Sequence, residues 1–140
     1  MKVLIDTSVW SLALRRKKEI LNEFEKKIVN EFAELINETR AVIIGPIRQE
    51  ILSGINSKNQ YKQLKSKLRA FTDFPIKSGD YEKAAEFFNV CRNKGIQGSH
   101  IDFIICSVAY NNNLSIFTTD NDFNYYIEQT GIILHKIRDS

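Results

Sequence analysis

The stretch Met1-Lys2-Val3-Leu4-Ile5-Asp6-Thr7-Ser8-Val9-Trp10 decides the fold class. Val3-Leu4-Ile5 is a continuous apolar run without alternation, the pattern of a parallel strand covered on both faces. It stops abruptly at an aspartate and two hydroxyl residues. Similar runs recur at Ala41-Val42-Ile43-Ile44, Leu114-Ser115-Ile116-Phe117 and, after Gly131, Ile132-Ile133-Leu134. Phe74-Pro75-Ile76 is a weaker candidate, its proline arguing for an edge or a loop. Between the runs the period turns helical. Ile20, Phe24, Ile28, Phe32 and Leu35 predict one long amphipathic helix ending near Asn37. Tyr61, Leu64, Leu68 and Phe71 form a second stripe, and Tyr81, Ala84, Ala85, Phe88 and Cys91 a third, stopped by Gly95. Ile101 to Tyr110 is apolar nearly all round and predicts a buried helix. Strands alternating with helices imply an α/β domain, with a central, mainly parallel sheet of four or five strands flanked by helices.

The 140 residues fall at the size of one domain, and 43% hydrophobic residues suffice for a core. The formal charge of +3 permits a polyanionic partner without demanding one. Cys91 and Cys106 are the only cysteines, and nothing around them resembles a secreted disulfide scaffold; Cys106 reads as a small buried hydrophobe. The N-terminus reaches Asp6 too early for a signal-peptide core, and no apolar run approaches spanning length. The expectation is a cytoplasmic protein with no membrane partner.

Ligands of open α/β sheets bind beyond the carboxyl ends of the strands. Asp6 directly follows the first run, and Asp120 follows the run Leu114 to Phe117 after two threonines. Glu50 lies one turn into the helix that Gly45-Pro46 opens, and Asp102 begins the buried helix. Each has a plainer reading. Asp6 and Asp120 are placed to cap the helices that follow them, Asp102 suits a first helical turn, and Glu50 alone passes as a solvated residue. As a set, carboxylates gathered at one rim repel unless some take up protons or a divalent cation binds. An oxygen-only site suits magnesium or manganese, and no cysteine–histidine cluster with zinc spacing exists.

These segments carry a resemblance. MKVLIDTSVW resembles the opening of PIN-domain ribonucleases, whose first strand ends in a metal-binding aspartate followed by a hydroxyl residue. IIGPIRQEILSGI resembles the second motif of the VapC-type toxins of that group, GSHIDFIICSVAY the third and LSIFTTDNDF the fourth, in the expected order along almost the whole chain. The resemblance implies one PIN-like nuclease domain over residues 1–140. It implies a Mg2+- or Mn2+-dependent ribonuclease, the toxin of a toxin–antitoxin pair. Asp6, Glu50, Asp102 and Asp120 would be both catalytic and metal-binding, with Asp122 the alternative fourth ligand. Thr7, Ser8 and Thr118 would supply hydroxyls near the metal. The implied products are a 5′-phosphate and a 3′-hydroxyl, and the implied partners are RNA, a cognate antitoxin protein and a second copy in a homodimer.

Candidates for gripping RNA are Arg15 and Arg16, in the basic run Arg15-Arg16-Lys17-Lys18, and the stripe Lys58, Lys62, Lys65 and Arg69 opposite the second apolar stripe. An ordinary solvated helix face explains that stripe equally well. His100 reads as a helix-start residue and His135 as a near-terminal surface residue; Trp10 and the other aromatic side chains read as core. Two alternatives stand beside the toxin: a housekeeping PIN nuclease in RNA maturation, and a catalytically silent PIN-like module binding protein or RNA. A phosphoacceptor signalling domain would carry an acidic pair after its first strand, where this chain has a lone aspartate.

Overall fold

A computed structural model describes residues 1–138. Its sheet is parallel, with β1 (Val3–Ile5) between β2 (Ala41–Val42) and β3 (Ser115–Phe117). Val3, Leu4 and Ile5 are all 0% exposed, which explains why the run carries no polar alternation. The sheet has three strands rather than the four or five expected. The two outer candidates shrink to single parallel bridges: Asp73 beside Ile43, and Leu134 beside Ile116. The Phe74 N–H still reaches the Ile43 carbonyl at 2.8 Å, but Pro75 follows with no N–H to extend the ladder. The strand order β2-β1-β3 makes the chain depart from β1 to one side and return on the other, which creates a switch point at the carboxyl end of β1.

Among the described residues seven α-helices flank the sheet: α1 (Thr7–Leu14), α2 (Glu23–Asn37), α3 (Gly45–Leu52), α4 (Lys58–Leu68), α5 (Ser78–Asn93), α6 (His100–Asn111) and α7 (Asp122–Thr130). None of them is long and apolar enough to cross a membrane. Trp10 is fully buried, as expected for core. Its indole N–H donates to the Ile5 carbonyl at 3.0 Å, and its ring meets Phe32 and Phe71 edge-on. Cys91 and Cys106 are buried free thiols, and burial pushes both above their ordinary range. No disulfide joins them.

Three local expectations are corrected. The first long helix begins at Glu23, not Ile20, because Asn22 and Glu25 form a reciprocal capping box: Glu25 N–H to Asn22 Oδ1 is 2.8 Å, and Asn22 N–H to Glu25 Oε1 is 3.0 Å. Ile20 falls in a separate 3-10 turn, and both Ile20 and Phe24 are exposed; the buried stripe is Ile28, Phe32 and Leu35. On α5 the buried stripe is Asp80, Ala84, Phe87 and Cys91, so Tyr81 and Phe88 are not its inner residues. The displacement arises because the first inner position is an aspartate. Asp80 accepts the Lys77 N–H at 3.0 Å and the Asn111 amide at 2.9 Å, which lets it be buried.

The third correction concerns His135, whose side chain is only 9% exposed. Its Nε2 meets Glu31 Oε2 at 2.6 Å, and Glu31 is itself buried on α2. Arg138 Nε joins the same oxygen at 2.9 Å and its Nη1 reaches Glu38 at 2.8 Å. The C-terminal segment is thereby pinned across α2. Burial alone would raise the Glu31 carboxyl, but hydrogen bonds from Arg138 and His135 outweigh it and hold the group below its ordinary 4.5. A carboxylate lowered on folding contributes stability above its unfolded value, lost as pH falls through the lower folded value. In urea titrations at neutral pH, Glu31→Gln is expected to lose about 2 kcal/mol. The gap between wild type and variant should narrow as the pH drops below 4.5.

Candidate active site

At the end of β1 the sheet ladder runs one residue further: the Asp6 N–H donates to the Phe117 carbonyl at 2.9 Å. That bond holds Asp6 beside the end of β3, and the carboxylate is 6% exposed. Asp6 occupies the N-cap position of α1 but makes no side-chain capping bond. Its Oδ2 accepts hydroxyls from Thr118 at 2.7 Å and Ser8 at 2.9 Å. Simple capping therefore does not account for Asp6.

Thr118 is shared. While it donates to Asp6, its Oγ1 accepts the Asp120 N–H at 2.9 Å, and the Ser8 hydroxyl accepts the Thr119 N–H at 3.0 Å. The loop after β3 is thus tied to the turn after β1 through two hydroxyls. Asp120 Oδ1 accepts the Asp122 N–H at 2.9 Å, but the N-cap of α7 is Asn121, so Asp120 is not the helix cap the sequence suggested. Asp120 is half-buried and Asp122 exposed. Glu50, exposed on α3, accepts a short hydrogen bond from Thr7 Oγ1. Asp102 lies in the first turn of α6, where Ser99 caps its N–H at 3.0 Å, and its Oδ2 accepts the Tyr126 hydroxyl at 2.7 Å.

Asp6 lies in the field of Glu50, and Asp102 in the fields of Asp6 and Asp120. Burial is the main reason the Asp6 carboxyl is raised above its ordinary 3.8; the charge of Glu50 adds to it, while the Thr118 and Ser8 hydroxyls work against it. Asp102 is raised in the same sense, first by burial and then by the charges of Asp6 and Asp120, against hydrogen bonds from the Tyr126 and Ser99 hydroxyls. Among the described residues no three acidic, histidine or cysteine side chains already converge closely enough to enclose an ion. Each carboxylate is engaged by a protein donor. The donor set nonetheless fits a hard divalent cation: all oxygen, anionic, and strained by mutual charge that a cation would relieve.

Other residues noted in the sequence lie as follows. Arg16 is taken by Glu25 at 2.7 Å. Arg15, at the C-cap of α1, lines a cleft of about 300 Å3 with Gln60, Gln63 and Lys67 of α4. Lys58, Lys62, Lys65 and Arg69 are all exposed. His100 opens α6 as expected and stacks on Phe88, with centroids 5.0 Å apart. The sequence reading did not single out Ser99 or Tyr126 as partners of Asp102. Ser99 was detectable as a serine three residues before an acidic helix residue, the pattern of a capped first turn. Tyr126, three residues after Phe123 on the buried face of α7, was detectable as a phenol needing an acceptor.

A buried, raised carboxylate costs stability when ionised. Its contribution is most favourable below 3.8 and is lost as pH rises through the higher folded value. With divalent ions chelated, Asp6→Asn should therefore raise the thermal midpoint at pH 7, by about 2–4 °C for each kcal/mol relieved. The gain should vanish near pH 3, and a midpoint lowered at pH 7 would contradict this account of Asp6.

The PIN domain family model matches residues 3–128. No curated protein matches significantly. Among solved structures, FitAcB from Neisseria gonorrhoeae superposes with a TM-score of 0.75 at 18% identity, over 96% of this chain and 96% of that one. FitAB bound to an IR36 DNA fragment gives a TM-score of 0.72 at 17% identity, over 95% and 93% of the two chains. VapBC2 from Rickettsia felis, bound to a DNA fragment from its promoter, gives 0.69 at 16% identity, over 96% and 98%. These are likenesses of fold. Because one family model spans nearly the whole chain, from β1 into α7 and across all the acidic positions at the sheet's rim, the chain belongs to the PIN domain family.

Proposed function

We propose that this protein is a metal-dependent endoribonuclease of the VapC type, the toxin of a toxin–antitoxin pair, with Asp6, Glu50, Asp102 and Asp120 as its acidic centre. The observation that carries the reading is the buried Asp6 carboxylate at the switch point of the sheet, within charge range of Glu50 and Asp102. An aspartate there is unfavourable for folding alone and useful for holding a cation. When bound, Mg2+ or Mn2+ supplies charge neutralisation at the phosphate and makes water easier to deprotonate. The chain's own residues hold and orient. Thr118 and Ser8 fix Asp6, Thr7 fixes Glu50, and the Asp122 N–H fixes Asp120, with Asp122 itself the alternative ligand. Net hydrolysis breaks the bond from phosphorus to the 3′ oxygen, which takes a proton, and water's oxygen stays on the 5′-phosphate.

No histidine acid–base pair is required, and both histidines are engaged elsewhere, His135 by Glu31 and His100 against Phe88. The exposed stripe Lys58, Lys62, Lys65 and Arg69 is the surface we assign to RNA phosphates, with Arg15, in the cleft beside Gln60, Gln63 and Lys67 on another face of α4, as a separate contact. Arg16 is a weaker contact because Glu25 already neutralises it. The fold shared with FitAB and VapBC2 supports an antitoxin protein as partner; a homodimer and a cytoplasmic role are part of the same proposal.

Purified wild type and Asp6→Asn should be incubated with structured RNAs in Mg2+ or Mn2+ and in EDTA. Wild type is expected to cleave only with metal, and the variant to be at least roughly 100-fold slower, equivalent to about 2.7 kcal/mol of barrier. Equal cleavage by both proteins would remove Asp6 from the centre. Absence of any metal binding by calorimetry would leave a silent binding module. For the basic stripe, Lys62→Ala with Lys65→Ala should weaken RNA binding and flatten its salt dependence by roughly 1.4 to 1.8 units of log–log slope. An unchanged slope would return α4 to an ordinary solvated face.

A further inference from the structure

Tyr126 is 0% exposed, and its ring lies between Phe103, 5.0 Å away centroid to centroid, and Phe123 at 5.3 Å. A phenol buried in this way must find an acceptor or leave its hydroxyl unpaired. Tyr126 takes Asp102 Oδ2 at 2.7 Å, from a helix 24 residues away in sequence. Among the described residues, Tyr126 is the donor at close hydrogen-bond distance to the Asp102 carboxylate, on Oδ2; the Ser99 hydroxyl also favours the charged form, and no close donor lies on Oδ1, which makes it the more available oxygen.

A second observation comes from the loop before α6. A Cβ at Gly98 would stand 2.5 Å from the Tyr126 hydroxyl and 2.9 Å from Cε2 and Cζ of Phe103. The Gly98 backbone is not left-handed, unlike Gly54, Gly95 and Gly131, so no turn conformation demands glycine there. Space for the phenol does. The loop, α6 and α7 are therefore fitted together around one hydroxyl and the carboxylate it holds.

We propose that Tyr126 is a positioning residue of the acidic centre: its hydroxyl, given room by Gly98, locks Asp102 through Oδ2 and leaves Oδ1 as the oxygen for a divalent cation. This rests on the acidic-centre reading above. A carboxylate set in advance by an outer hydrogen bond does not have to be ordered when the ion arrives, and loss of such a partner typically costs about 10- to 100-fold in affinity or activity. Phe103, whose ring also borders Gly98, keeps the phenol from swinging away.

Mn2+ binding should be measured directly, without RNA, by titration calorimetry on wild type, Tyr126→Phe, Gly98→Ala, Asp102→Asn and Leu35→Val. The last truncates the core on α2 without touching Asp102 and reports general destabilisation. Tyr126→Phe keeps the ring and should raise the Mn2+ dissociation constant about 10-fold or more. RNA cleavage should fall at limiting Mn2+ and recover largely at saturating Mn2+. Gly98→Ala leaves Tyr126 in place but takes its hydroxyl's room, so it should behave alike; it carries the test if Tyr126→Phe fails to fold. Wild-type affinity in a folded Tyr126→Phe overturns the proposal and leaves the acidic centre standing. Equal weakening in Leu35→Val also overturns it, since the effect would then be general. No Mn2+ binding by wild type removes the acidic centre itself, and the proposal with it.

Discussion

A carboxylate that follows three fully buried residues without a turn has nowhere to go. Asp6 is held by the ladder bond from its N–H to the Phe117 carbonyl, at the point where the strand order reverses. The position is buried enough to raise the carboxyl and too fixed to let it escape to solvent. Much around it follows from that constraint. Hydroxyls from Ser8 and Thr118 supply what water cannot, and through them the loop after β3 is bound to the turn after β1.

The same economy recurs at the other acidic positions. Thr7 engages Glu50, the Asp122 N–H engages Asp120, and the Tyr126 hydroxyl engages Asp102. None of these donors is a cation, so the carboxylates are oriented without being neutralised. Arginine is used elsewhere. Arg138 binds Glu31 and Glu38, and Arg48 joins Asp73 to the carbonyls of Leu68 and Phe71 at the end of α4. Arginine cancels Glu31, Glu38 and Asp73 away from the rim, where buried Asp80 is held by neutral donors, while the rim carboxylates meet no cation, as expected of a site that trades stability for binding.

Much of the fold was legible. The three strands appear where the apolar runs predict them, because a strand covered on both faces is built almost wholly of apolar residues; the small Ser115 of β3, buried at 5% exposure, is the one polar position. The helices were legible to within a turn, and the failures have specific causes. Ile20 and Phe24 continue the spacing of Ile28 and Phe32, yet the Asn22–Glu25 capping box starts the helix later and leaves both in solvent. On α5 the inner stripe opens with an aspartate, which hydropathy alone assigns to the outside. His135 looked superficial because it lies near the chain end, while its partner Glu31 is 104 residues away.

By itself, the sequence determined that acidic residues stand at the ends of strands and the starts of helices, since local period and punctuation are properties of neighbouring residues. The set Asp6, Glu50, Asp102 and Asp120 could be assembled on that ground and by resemblance. Only the tertiary structure decided which donor holds each carboxylate and which oxygen is left over. Thr7 and Glu50 lie 43 residues apart, Tyr126 and Asp102 24, and Thr118 and Asp6 112. Hydrogen bonds of that span depend on how the helices close over the sheet, and no local pattern records it; the glycine at position 98, required by a hydroxyl from another helix, is the plainest case.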